Sequence, residues 1–240
     1  MNELQDIWVY LSASPLLSLL VTLAAFILSS WINKRAGGTP FLHPVIVAIA
    51  FVISFLLLAD IEYQDYFEGA QFIHFLLGPA TVALAVPLFD HLERVRQMLV
   101  PLLVACVTGI VTAALSTIGL VLLLGGSRET LLSLTPKSVT SPIAMGIAEK
   151  IGGYASLTAG LVLITGAIGC VLAPWIFQRL RIQDQSIQGF TMGLAAHGFG
   201  TAYCFSSIGA MAGAFAGLAM GLTGMLSAFI LPLLVKILGI

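Results

Sequence analysis

Apolar runs of 18 residues or more recur along the chain, near residues 8–32, 40–59, 72–89, 98–125, 154–177 and 207–238. As a helix, each is long enough to cross a hydrocarbon layer about 30 Å thick. That layer offers no water to backbone N–H and C=O groups, so the helix, which satisfies them internally, is the expected solution. The fold class read from the sequence is therefore all-α: a polytopic transmembrane bundle of six to eight spans. Composition agrees, because 59% hydrophobic and 9% charged residues with a mean hydropathy of +1.05 leave too little polar surface for a soluble domain of 240 residues. No soluble domain is evident, and residues 1–240 read as one integral membrane domain.

The N-terminal residues Met1 to Asp6 are acidic where a secretory signal would be basic, and no small-residue cleavage site follows the first apolar run. That run is expected to be a retained helix. A net charge of −1 gives no reason to invoke nucleic acid as a partner. Cys106, Cys170 and Cys204 sit singly in apolar stretches, a pattern of core packing without a disulfide or metal site.

Two shorter segments, about 136–153 and 187–203, are apolar on average but carry Pro, Gly and hydroxyl residues. Loop charge bears on their path. Lys34 and Arg35, Arg94 and Arg96, and Arg179 and Arg181 mark three connections as cytoplasmic by the positive-inside rule, whereas the 60–71 connection, with Asp60, Glu62, Asp65 and Glu68 and no Lys or Arg, is expected outside. If the segment around Lys137 crossed fully, Arg179 and Arg181 would lie outside. The preferred reading has it enter and return on the outer side, and the same parity makes the His197 segment re-entrant from the cytoplasmic side, with both termini outside. After the N-terminal helices (1–125), residues 126–240 then read as a hairpin plus helix followed by an inverted hairpin plus helix, the inverted-repeat transporter arrangement. Eight full crossings is the alternative.

The first segment carries Thr135-Pro136-Lys137-Ser138-Val139-Thr140-Ser141-Pro142. Ser141 reads as a helix N-cap and Pro142 as the first helical residue, with a short helix running to about Lys150. Its N-terminal N–H groups and positive dipole end, with the Lys137 ammonium and the hydroxyls of Ser138, Thr140 and Ser141, are suited to a small organic anion. The other reading has Lys137 snorkelling to the interface while the hydroxyls satisfy backbone carbonyls. An ionisable group amid broken intramembrane backbone is costly, which favours the functional one.

The second segment, Gly189 to Tyr203, holds His197, Gly198, Gly200 and Thr201. Its glycines permit a backbone break, and His197 is a titratable group suited to proton coupling, or a neutral ring bonded within the bundle. Gly78, Pro79 and Thr81 break the third span and either add a wall to the same cavity or only kink the helix. Gly209, Gly213, Gly217 and Gly221 form a small-residue stripe, read as an intramolecular packing face with an oligomeric contact as the alternative. No H-E-x-x-H, no G-x-S-x-G and no carboxylate pair in one candidate pocket argues for an enzyme. No metal or cofactor is expected, and coupling to protons or sodium ions stays open.

The stretch from Leu77 to Leu88, the Pro136-Lys137-Ser138-Val139-Thr140-Ser141-Pro142-Ile143-Ala144 motif, and His197 to Thr201, in that order, resemble the LrgB/CidB family over nearly the whole chain. The resemblance implies a multi-pass protein of the bacterial inner (plasma) membrane, often paired with a smaller membrane protein of the LrgA/CidA type. It implies either an antiholin-like role in murein hydrolase export and autolysis, or, through relatives such as the plastidial glycolate/glycerate translocator and bacterial pyruvate uptake systems, transport of small monocarboxylates. The site residues then expected to bind substrate are Lys137, Ser138, Thr140, Ser141, Pro142, His197, Gly198, Gly200 and Thr201, in a lipid-embedded protein that forms a homo-oligomer. One departure is Tyr203-Cys204-Phe205, where members of the family commonly carry a basic residue.

Overall fold

The computed structural model describes residues 15–39, 42–76, 79, 82, 83 and 85–240, and these form helices and connections. Contacts divide the chain into two compact units, Met1–Ala83 and Leu84–Ile240.

The first unit contains α1 (Pro15–Arg35), α2 (Pro44–Ala59) and α3 (Tyr63–Phe75), with α1 packed against both others. Gly37 and Gly38, at φ +74° and +73°, turn the chain after α1. Asn33 Nδ2 donates to the carbonyls of Thr39 and Leu42, both at 2.9 Å, and so ties down the connection. The acidic 60–71 connection was expected to be loop; in fact residues from Tyr63 onward are helical. Aromatics at i, i+3 and i+4 supply the reason: Tyr63 stacks on Phe67 at 5.8 Å, and Tyr66 shares a 2.7 Å hydroxyl–hydroxyl bond with Thr22 of α1. The acidic residues Glu62, Asp65 and Glu68 remain exposed. Of the third expected span, Gly78 and Thr81 lie outside the described residues, and Pro79 is exposed.

The second unit contains α4 (Ala85–Asp90), α5 (Leu92–Gln97), α6 (Leu99–Leu123), α7 (Arg128–Leu134), α8 (Ser141–Ile151), α9 (Ala155–Arg179), α10 (Gln185–Tyr203), a π-helical turn (Cys204–Ile208) and α11 (Ala210–Leu238). Among the described residues, α1, α6, α9 and α11 are long and apolar enough to cross a membrane. The chain is a helical membrane protein, and its three long helices in this unit match the expected runs at 98–125, 154–177 and 207–238. By contrast α7 and α8, at about 1.5 Å per residue, span roughly 10 and 16 Å and cannot cross.

The core is built by small residues that let backbones approach. A Cβ on Gly189 would collide with the carbonyl oxygen of Ala212, and one on Gly193 with that of Ala216. These glycines of α10, more than the stripe expected on α11, make the close helix contact. Within that stripe Gly213 lies against the Phe205 ring, whereas Gly221 faces open space. Cys106, Cys170 and Cys204 are buried free thiols, as core packing requires.

Helix ends are set by local chemistry. Asp184 caps α10, accepting from the N–H groups of Ser186 at 2.8 Å and Ile187 at 3.3 Å. The end of α9 is a Schellman motif: Ile182 N–H donates to Phe177 O at 2.9 Å and Arg181 N–H to Gln178 O at 3.2 Å. Arg181 therefore occupies the left-handed position (φ 56°) that glycine ordinarily takes.

Candidate functional site

Both broken segments enter and return. The base of the first is held at the Leu123 end of α6, where Ile118 and Val121 of α6, Leu131 and Leu132 of α7, Ile151 at the end of α8 and Val235 near the end of α11 pack together. The N–H of Tyr154, at the start of α9, donates to Ser133 Oγ at 2.8 Å, and Thr158 Oγ1 donates to the Ser133 carbonyl at 2.9 Å. Between these anchors the 135–140 turn dips to mid-helix depth. There Val139 packs with Ile110 and Ala114 of α6, Val162 of α9 and Leu231 of α11, and α8 climbs back with Ala144 and Ile147 in the same cluster.

The second hairpin is a helix broken at its tip. His197 interrupts α10 at φ 40°, ψ −125°, a conformation suited to glycine at the first central position of a tight turn. Gly189 meets Ala212 and Gly193 meets Ala216, so the inbound arm runs parallel to the beginning of α11. The chain must therefore come back between His197 and Gly209. Gly200 beside Met192, Phe205 beside Gly213, and Gly209 beside the Gln185 side chain trace that return.

A third relationship fixes the ends. Arg94, before α6, is ion-paired with Asp184, after α9, and its Nε donates to Ser186 Oγ at 3.0 Å. The starts of α6 and α10 and the end of α9 thus share one end of the unit, and the Lys137 hairpin opens at the other. The two hairpins approach from opposite ends of the unit, the arrangement that the loop charges favoured over eight full crossings.

The tips meet at a cavity of about 120 Å³. The first hairpin contributes Thr135, Pro136, Ser138 and Val139 and the second Leu194 and Ala195, while α11 adds the hydroxyl-bearing residues Thr223 and Ser227. Of these hydroxyls, Thr135 donates to Leu131 O at 2.8 Å, and Thr223 is 3.6 Å from Cys106 Sγ. Ser138 is thus the residue of the expected site that lines the shared space.

The others surround it in different roles. The Lys137 ammonium donates to Thr117 Oγ1 on α6, and among the described residues it has no carboxylate partner. Thr140, and not Ser141, is the N-cap of α8, in extended backbone (φ −63°, ψ 148°), with its carbonyl accepting from Ala144 N–H at 2.9 Å. Ser141 is consequently the first helical residue and the exposed Pro142 the second. The one-residue shift arises because proline lacks an N–H that no position in the first turn needs, so Pro142 fits either register. The dipole end of α8 points into the bundle as expected.

His197 Nε2 lies 3.1 Å from Val162 O; since a carbonyl only accepts, this nitrogen carries the proton. The ring also meets Phe199 edge-on at 6.0 Å and leaves no room for a Cβ on Gly166. Thr201 does not face the cavity: its hydroxyl donates to the His197 carbonyl at 2.9 Å, satisfying backbone that the break exposes. Gly200 is required by the close Met192 carbonyl, whereas Gly198 has open space where a Cβ would be.

Sequence reasoning missed Thr117, Thr223 and Ser227. The last two stand four residues apart on an otherwise apolar span, the spacing that puts two hydroxyls on one helix face. Thr117 carries no such local signal, because its partner is twenty residues away.

The chain is 34% identical to the uncharacterized protein YxaC of Bacillus subtilis over 217 residues, covering 90% of this chain and 94% of that one. It is 27% identical to the holin-like protein CidB of Staphylococcus epidermidis over 226 residues, 94% of this chain and 97% of the relative. Holin-like protein CidB of Staphylococcus aureus is likewise 27% identical over 220 residues, 92% and 95% of the two chains. No solved structure matches. With residues 22–237 matching the LrgB-like family, the chain belongs to that family.

Proposed function

We propose that this protein is a transporter of small monocarboxylates, of the pyruvate, glycolate, lactate and glycerate class, in the bacterial inner membrane. The observation that carries this reading is the meeting of two hairpin tips, from opposite ends of the bundle, at one cavity. Broken helices opposed in this way create a site at the bilayer midplane, between two gates that open to opposite sides. The unneutralised Lys137 ammonium and the inward-pointing N-terminus of α8 favour a negative ligand, Ser138 supplies a neutral donor, and the apolar remainder suits a short carbon chain. Lys137 moves from Thr117 to the carboxylate as the ligand arrives. The Arg94 and Arg181 end faces the cytoplasm by the positive-inside rule. His197, at the second tip, lines or gates the path and is the candidate for proton coupling, with sodium ions the other candidate couple.

The test is uptake of labelled pyruvate, glycolate and lactate by purified protein in liposomes, with and without an LrgA/CidA-type partner. Protein-dependent uptake that falls at least tenfold in Lys137→Ala supports the reading. No flux under any imposed gradient, partner included, sinks it.

A second reading is favoured by the holin-like naming of the CidB relatives. In it the chain regulates murein hydrolase export and autolysis by assembling with a small LrgA/CidA-type membrane protein, as a homo-oligomer or mixed complex, without turning over solute. It requires autolysis phenotypes that survive Lys137→Ala.

A further inference from the structure

Away from the midplane, at the Arg94 and Asp184 end of the second unit, lies a cavity of about 530 Å³. It is walled by the last turn of α9 (Pro174, Phe177 and Gln178), the 180–184 connection, and both arms of the second hairpin through Gln188, Tyr203 and Ile208. Its volume is that of a small-molecule site. Its polar lining residues are Arg181, three glutamines, Gln178, Gln183 and Gln188, and Tyr203.

Arg181 is the informative residue. It stands at φ 56°, at the helix-terminating position where glycine carries no steric penalty and a side chain does. A residue held in a disfavoured conformation points to a role for its side chain. Among the described residues the one ion pair is Arg94–Asp184, so Arg181 has no carboxylate partner within the unit, and it lines the cavity. Asp184, the nearest acidic residue along the chain, is held by Arg94, Ser186 and the N–H groups that it caps.

The loop is fixed as well as charged. Gln188 Nε2 donates to the Ile182 carbonyl at 2.7 Å, which ties the inbound arm of the hairpin to the residue after Arg181. The return arm contributes Tyr203 to the lining. An arginine, whose planar fork of N–H donors suits a carboxylate, together with glutamines, a tyrosine and the apolar Pro174, Phe177 and Ile208, matches in residue type a carboxylate joined to a short apolar group.

We propose that this cavity is a vestibular binding site for a small organic carboxylate, held by Arg181 at the mouth of the second hairpin. It rests on the transport reading for its place on the substrate path, and on its own geometry for binding. Because both hairpin arms form its walls, an anion lodged there bears on whether they stay together. The vestibule thereby couples occupancy at the Arg181 end to opening of the inner gate.

The experiment uses the full-length protein in phosphatidylcholine nanodiscs, with sodium pyruvate as probe, and the variants Arg181→Gly, Arg181→Asn and Lys137→Ala. Glycine suits the backbone and asparagine tolerates it, so both variants fold, and Arg181→Gly melts about 2–4 °C higher than the parent. Pyruvate binding by calorimetry is expected to persist in Lys137→Ala, which removes the midplane ammonium, and in that background to weaken about tenfold or more when either Arg181 substitution is added. Binding abolished by Lys137→Ala alone, or unchanged when the Arg181 substitutions are added to it, overturns the vestibule. A stabilising response of Arg181 only to phosphatidylglycerol, with no pyruvate effect, overturns the carboxylate assignment in favour of a lipid phosphate. Absence of liposome uptake would remove the transport reading, and Arg181-dependent pyruvate binding would still stand.

Discussion

Arg94 and Asp184, ninety residues apart in the chain, form an ion pair that brings the connection before α6 to the connection after α9. If both connections lie at one end, α6 and α9 must run in opposite directions, and whatever joins them starts and finishes at the other end. The pair thus records the parity of the chain. Cysteines placed at Arg128 and at Tyr154, which bracket the first hairpin, are expected to react with a membrane-impermeant maleimide from the same side, and labelling from opposite sides would contradict the re-entrant path.

The pair itself is worth little in stability. Its side chains are 42% and 38% exposed, where an ion pair contributes on the order of 0–1 kcal/mol. Asp184 matters more as the cap of α10. The Ser186 hydroxyl, then the N–H groups of Ser186 and Ile187 and the Arg94 charge, hold its carboxyl below the usual aspartate range against a smaller opposing effect of burial. A depressed folded-state value means that the contribution is complete above about pH 4 and fades as pH falls through the folded value. Asp184→Ala should cost about 1 kcal/mol at neutral pH, Asp184→Asn less, and both should flatten the acid limb of a Tm-against-pH curve.

Ser133 closes the first hairpin with three bonds: its hydroxyl accepts from Tyr154 N–H and donates to Glu129 O, and its carbonyl accepts from Thr158. Ser133→Ala removes the acceptor for Tyr154 while leaving the carbonyl bond, at an expected cost of about 1–3 kcal/mol. A Tm in detergent equal to that of the parent would show that the Ser133 hydroxyl adds nothing to the hold on the base of the hairpin.

The glycines of α10 should be far less tolerant than those of α11. Gly189→Ala and Gly193→Ala push a methyl into the carbonyls of Ala212 and Ala216 and should each cost about 1–3 kcal/mol, while Gly221→Ala, facing open space, should be neutral. Equal melting temperatures for the three would refute the parallel packing of α10 on α11.

At the second tip, His197 has a backbone that glycine tolerates and β-branched residues do not. His197→Gly should fold with a Tm close to the parent, as strain relief offsets loss of the Val162 bond, whereas His197→Val should lower folded yield sharply. If the transport reading holds, His197→Gln should lose pH-driven accumulation while exchange persists.

The hairpins were legible before the fold because loop charge and apolar length are properties of whole segments, and both are dictated by the bilayer. Loop charges, among them Arg94, Arg179 and Arg181, pointed to hairpins at opposite ends. Partnerships were not legible. Thr201 looks like a ligand in sequence, yet its hydroxyl is consumed by the carbonyl that the break at His197 exposes. Thr117 looks like an ordinary residue of an apolar span, yet it holds the Lys137 ammonium. The helix at Tyr63–Phe75 was missed for a related reason: its acidic residues read as solvated loop, while the aromatics that stabilise it depend on Thr22 far upstream. Each miss depends on which distant group supplies a donor or an acceptor, and spacing along one segment carries no record of that.

The parallel contact of Gly189 and Gly193 with Ala212 and Ala216 has a consequence for biogenesis. The inbound arm of the second hairpin leaves the ribosome before the helix that it packs against. Until α11 follows, the break at His197 has only part of its surroundings, and lipid cannot hydrogen-bond the peptide groups it frees. Residues 185–238 should therefore be released into the bilayer as one block. A nascent chain stalled before Ala210 should hold that arm beside the insertion machinery, detectable by crosslinking, until the final helix is made.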